Sequence, residues 1–191
     1  MSTGLPAFDH ALEGGLPKGA IIELTSSTHS AGTALLIYLL LHHACQHGQF
    51  IALIDGRDSF DPQPLGYRRL RSLLWVRCTK AMEAVKAADL LLRDGNFPVV
   101  ILDLVLNAPK ELQKIPQTSW YRLQRLIEPA PTAFLVLTRH SMISSAQWKL
   151  MLKNAWQLAD LQREETASQL QIHVQRIHGG GRQEFAMAEA S

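Results

Sequence analysis

Apolar runs of strand length, alternating with segments of helical character, constrain this chain more than any single residue does. The runs cover residues 20–24, 50–54, 73–77, 98–106 and 133–138. They show little polar alternation, the pattern of strands buried on both faces. Between them, residues 33–47 carry apolar side chains on nearly every helical face and stop at Gly48. Residues 80–93 run into Asp94-Gly95-Asn96, and residues 117–128 end at Pro129 and Pro131. Helices of this length between such strands are crossovers, so they dictate βαβ units and a largely parallel sheet. Residues 154–162 and 169–177 instead alternate apolar and polar around Arg163-Glu164-Glu165-Thr166-Ala167, which predicts an antiparallel pair extending the same sheet.

The expected fold class is α/β, a largely parallel central sheet flanked by helices, with C-terminal antiparallel strands. Ahead of it, Leu5, Phe8 and Leu12 at helical spacing behind Ser2 and Thr3 predict a short N-terminal helix. The Gly/Pro-rich stretch 13–19 then turns the chain into the first strand. A single domain over residues 1–178 is expected, followed by a flexible tail over 179–191 that opens with Gly179-Gly180-Gly181.

Composition narrows the function classes. The 191 residues are 47 % hydrophobic and 19 % charged, which excludes disorder and coiled coil. A net charge of +2 is too small for a histone-like nucleic-acid binder, so any basic site must be local. Cys45 and Cys78 lack metal-ligand spacing and read as reduced thiols of a cytoplasmic protein. No apolar run has the length of a membrane span, and the first twenty residues lack a signal-peptide core.

In a sheet that begins turn, strand, loop, helix, the first strand-to-helix loop is where backbone amides cradle a phosphate. Here that loop is Thr25-Ser26-Ser27-Thr28-His29-Ser30-Ala31-Gly32-Thr33. A phosphate loop reads G-x-x-x-x-G-K-[ST]. With Thr33 as the hydroxyl, Ser26 and Ala31 stand at the glycines and Gly32 at the lysine. One register further, Thr33 stands at the lysine and Ala34 at the hydroxyl. Neither register supplies a lysine. Val99-Val100-Ile101-Leu102-Asp103 is an apolar strand ending in a carboxylate, the form of a magnesium-organising strand, and Ile54-Asp55-Gly56-Arg57 closes the second strand.

Gly14-Gly15-Leu16-Pro17-Lys18-Gly19, Ile22-Glu23-Leu24, the loop and its helix, Ile54-Asp55, Phe60-Asp61-Pro62 and residues 99–103 follow one another in the order of the RecA ATPase core. Over residues 2–178 the chain resembles RecA. Thr33, Asp55 and Asp103 match that pattern; Ser26, Ala31, Gly32 and Arg57 depart from it, Arg57 standing where the catalytic glutamate would be. The resemblance therefore implies a degraded nucleotide site at Ser26, Ser27, Ala31, Gly32, Thr33 and Asp103, with no catalytic residue, no bound metal and no expected cofactor, ATP and magnesium having lost their principal holds. It also sets Arg57 and Asp103 across one crevice, where they are expected to pair.

Residues 73–77 followed by the alanine-rich stretch 81–95 are similar to ImuA, one of the RecA relatives with eroded phosphate loops, alongside SulA. That likeness implies a bacterial, cytoplasmic, non-hydrolysing accessory protein of the SOS response. Its partners would be an ImuB-like polymerase homologue, RecA and an error-prone replicative polymerase. A divergent ATPase holding nucleotide through Thr33, Asp103 and backbone amides is the enzymatic alternative, and a SulA-like inhibitor of the division protein FtsZ is a third. Direct DNA binding is expected to be weak: the filament-linking segment ahead of the Gly turn is not seen, and loops 107–118 and 139–147, where RecA carries its DNA loops, are short.

Arg68, Arg69, Arg71 and Arg77 form the densest positive cluster. With Trp75, Trp120 and Trp148 they are the candidate partner or DNA contacts. Tyr121 and Trp156 belong to the same aromatic set, for which core packing is the ordinary alternative. His43 and His47 have the i, i+4 spacing of metal ligands but no third ligand nearby, and read as a solvated helix face.

Overall fold

The computed structural model describes residues 2–26, 28, 32–154 and 171–177. Among them, β1 (Ala20–Ser26), β2 (Ile51–Asp55), β3 (Leu73–Arg77), β4 (Val99–Asp103), β5 (Ala133–Thr138), β6 (Trp148–Leu152) and β7 (Ile172–Ile177) form one sheet in the order β3-β2-β4-β5-β1-β6-β7. All neighbours are parallel except β6 and β7, which are antiparallel. The α/β class and the antiparallel C-terminal pair are as the sequence predicts. The first strand of that pair is not: it lies at Trp148–Leu152, with Lys153 and Asn154 already outside it. Residues 155–162 and the linker to 170 lie outside the described residues, as do Trp156 and the tail over 179–191.

The helices are α1 (Pro6–Ala11), α2 (Thr33–Gln46), α3 (Gly66–Leu70), α4 (Ala81–Asp94), α5 (Pro109–Leu112) and α6 (Gln117–Ile127). Two apolar layers result. On one face of the sheet, Phe8, Leu36, Ile37 and Leu41 pack on Ile22, Leu24, Leu53, Ile101 and Leu135. On the other, Ala84, Ala88, Trp120 and Leu123 pack on Ile21, Ile54, Val100, Leu102 and Phe134. Helix α4 shows how sequence sets the second layer. Ala81, Ala84, Val85, Ala88 and Leu92 form a buried stripe at helical spacing, and Gly95, at φ 70°, closes the helix in the left-handed conformation. Lys80 gives α4 no side-chain cap; the Glu111 carboxylate accepts the Ala81 N–H from across the fold instead.

Successive side chains of a strand point to opposite faces, so Asp55 and Asp103, in register at the ends of β2 and β4, share the face that carries α2. The fourth apolar run is longer in sequence than its strand. The chain leaves the sheet after Asp103, and Leu104 to Leu106 turn over its carboxyl edge.

Candidate functional site

The loop between β1 and α2 is described at Ser26, Thr28, Gly32 and Thr33; Ser27 and Ala31 lie outside the described residues. Gly32 is the N-cap of α2 at φ 96°, a conformation that favours glycine, and it has no side chain to cap the helix. The Thr33 hydroxyl reaches back to Ser26 Oγ at 3.4 Å, a long contact that nevertheless brings the two sides of the loop together. Thr28 Oγ1 donates to the Asn154 carbonyl.

Beside this loop opens a cleft of about 580 Å³. Its walls are Thr33, Ala34, Leu35, Ile37 and Tyr38 of α2, Ser59 to Asp61 with Pro64 and Leu65 after β2, and Asp103, Val105 and Leu106 at the end of β4 and beyond it. The sequence reading brought Thr33 and Asp103 to one site, and the structure places both in this wall. Asp55 lies just behind it with its carboxylate fully engaged. Oδ2 accepts the Ser59 and Phe60 N–H groups, each at 2.8 Å, and Oδ1 accepts the Arg57 N–H at 3.2 Å and the Ser59 hydroxyl at 3.4 Å. Asp55 thus shapes the loop after β2. Asp103 has one such donor among the described residues, the Val105 N–H at 3.0 Å. Burial pushes its carboxyl up to about 6; the Val105 N–H opposes the rise and the Asp55 charge adds to it.

Arg57 does not pair with Asp103. Its side chain is exposed, and its guanidinium donates to the Thr79 carbonyl at 3.2 Å, on the edge of the sheet away from Asp103. The backbone explains the divergence: Asp55 holds the Arg57 N–H, and the chain turns outward through Asp58, which has a positive φ.

The arginine cluster divides in two. Arg77 makes a bidentate pair with Asp58, at 2.6 and 2.8 Å, and lies over the Trp75 ring at 5.0 Å, raising its own pKa and lowering that of Asp58 through the shared hydrogen bonds. Arg69 donates to His42 Nδ1 at 2.9 Å and to the Leu65 carbonyl, and lies over Tyr38 at 5.3 Å. Arg68 and Arg71 are exposed. Trp75 is half-buried, edge-on to Phe60 at 5.5 Å. Trp148 is half-buried against the α2-side layer, whereas Trp120 is wholly buried in the α4–α6 layer and presents no surface to a partner. His43 and His47 sit with ring centroids 4.1 Å apart, and no group of three or more metal-ligating side chains occurs among the described residues. Among the same residues no helix is long and apolar enough to cross a membrane.

Sequence reasoning gave Glu23 no role of its own. It is wholly buried in β1, accepts N–H groups of Met142 and Ile143 at 2.6 and 3.0 Å and the Ser141 hydroxyl at 2.9 Å, and pairs with Lys149 at 3.1 Å. Lys149 Nζ also reaches Ser141 Oγ. Loop 139–147 is therefore fastened to the inside of the sheet. The signal was present, since a lone carboxylate inside an apolar strand requires a partner.

The RecA N-terminal domain family matches residues 1–114. Among curated proteins the chain is similar to RecA of Chlorobaculum tepidum, 31 % identical over 109 residues, and of Gluconobacter oxydans, 33 % identical over 111. It is also similar to RecA of Bifidobacterium longum, 35 % identical over 107 residues. These matches take in 54–55 % of this chain and 26–31 % of the relatives, so the chain spans less than a third of the length of the proteins it matches. The order of the glycine turn, the first strand, its loop and the two carboxylate-bearing strands agrees with that match, and the chain belongs to the RecA N-terminal domain family.

Proposed function

We propose that this chain is a non-hydrolysing RecA-like accessory protein that acts through protein–protein contacts in the bacterial DNA-damage response, in the manner of ImuA. The reading is supported above all by Gly32 at the head of α2, where a phosphate-binding lysine would stand, combined with Asp103 across the cleft. A lysine supplies the positive charge that offsets the β- and γ-phosphates; an unaccompanied carboxylate repels them. Magnesium and ATP would have Thr33, Asp103 and the loop amides as their remaining holds, a set without a cation of its own. The exposed arginines Arg68 and Arg71 and the Trp75–Arg77 edge are the surfaces assigned to a protein partner, with an ImuB-like polymerase homologue and RecA as the candidates in a cytoplasmic setting.

The test is ATP turnover and nucleotide titration on the purified chain, together with co-purification against the ImuB-like protein and RecA. Background turnover with retention of either partner is expected. Turnover above background that Asp103→Ala abolishes would establish the divergent-ATPase reading instead, which draws its support from Thr33 and Asp103 lining one cleft.

A further inference from the structure

The cleft beside α2 has a composition that suits neither a nucleoside triphosphate nor a purely apolar guest. Ala34, Leu35, Ile37, Phe60, Pro64, Leu65, Val105 and Leu106 make up most of its wall. The ionised groups in that wall are both acidic, Asp61 and Asp103, and no lysine or arginine lines it among the described residues. Asp61 Oδ1 accepts the Gln63 N–H and Asp103 Oδ1 accepts the Val105 N–H. The second oxygen of each has no donor among the described residues. Asp55, which could have shared a cation with Asp103, is saturated by four donors. The result is an apolar chamber of ligand-binding size with carboxylate oxygens in its wall and no lysine or arginine against them among the described residues.

From this charge complementarity we propose that the cleft binds an amphipathic organic cation, an ammonium or guanidinium head on an apolar body, with the head against Asp103 and the body between Phe60, Pro64, Leu65 and Leu106. The head supplies donors to a carboxylate that the protein leaves half-satisfied, and the body covers apolar wall that water now wets. Ser59 and Tyr38 also line the cleft. The inference concerns the cleft alone and stands independently of the partners proposed above.

Phenylbutylammonium, phenylbutanol and phenylbutyrate share one body and differ in the charge of the head, and each can be titrated into the full chain while amide resonances are followed. The ammonium is expected to shift Thr33, Ser59 and Val105 and to bind about tenfold more tightly than the alcohol, the scale of one charge-assisted contact. Asp103→Asn should bring the ammonium to the affinity of the alcohol and leave the alcohol unchanged. Leu106→Lys, made at a side chain that is 48 % exposed and so unimportant to folding, should reverse the preference in favour of the butyrate. Equal binding of ammonium and alcohol would overturn the assignment. So would an Asp103→Asn protein that still prefers the ammonium, or shifts confined to residues outside the cleft.

Discussion

Asp55 and Asp103 show how far two identical side chains in register can diverge. Four donors make Asp55 a scaffold, while Asp103, with one donor, carries the cost of a charge in a poorly solvated place. Its carboxyl, raised from 3.8 to about 6, stays protonated in the folded chain over a range where the unfolded chain has already ionised. The folded state then binds more protons than the unfolded state, so stability falls as pH rises through that window, and the whole penalty is present above it. Asp103→Asn is expected to raise stability at pH 7.5 by roughly 1–3 kcal/mol and to change it little at pH near 4, as read from urea midpoints at the two pH values. A loss at pH 7.5 would mean that the carboxylate has a partner in the native protein. Gly56 makes a different point about the same edge. A Cβ there would lie 2.7 Å from the Asp103 carbonyl and press on the Asn107 amide, whose Nδ2 already donates to the Gly56 carbonyl. Gly56→Ala should cost about 1–3 kcal/mol in the same measurement, and Asn107→Ala should not restore it, because the backbone clash remains.

Among the elements, loop 139–147 is held in a way that its sequence does not advertise. Glu23 is inside the sheet and Lys149 nearly so, with 14 % of its side chain exposed, so removing either leaves the other charge in an apolar surround. Lys149→Met is expected to cost about 3–5 kcal/mol, and the double variant Glu23→Gln/Lys149→Met less than the sum of the single changes, as measured by a thermodynamic cycle. Strict additivity would show that the two do not interact. This contact also explains where reading the sequence succeeded and where it stopped. β3 and β5 were legible to the residue because Leu73–Arg77 and Ala133–Thr138 are compact runs with abrupt polar boundaries. Trp148–Leu152 was assigned no strand, because Lys149 interrupts the apolar pattern and its carboxylate partner lies 126 residues earlier. The loop between β1 and α2 was legible as a candidate site in Ser26, Gly32 and Thr33, which are local. The divergence of Arg57 from Asp103 was not, because it depends on donors at Ser59 and Phe60 that turn the backbone.

Over the whole molecule, strand order separates what the sequence shares with its relatives from what folds. β1 lies between β5 and β6, and neither of those strands begins before residue 133. The segment that carries the family match, residues 1–114, supplies β1 with no neighbour and leaves β4 with β2 alone. A fragment of residues 1–114 should therefore lack a cooperative unfolding transition, whereas residues 1–178 should show one, as followed by circular dichroism on heating. During synthesis the same geometry imposes a wait. Ile21, Ile22 and Leu24 can be covered on both strand edges only after more than a hundred further residues have followed, at about 5–20 residues per second. For those seconds β1 lacks both of its sheet neighbours and is a sticky β-segment, and a nascent chain of this design depends on whatever shields it at the ribosome exit.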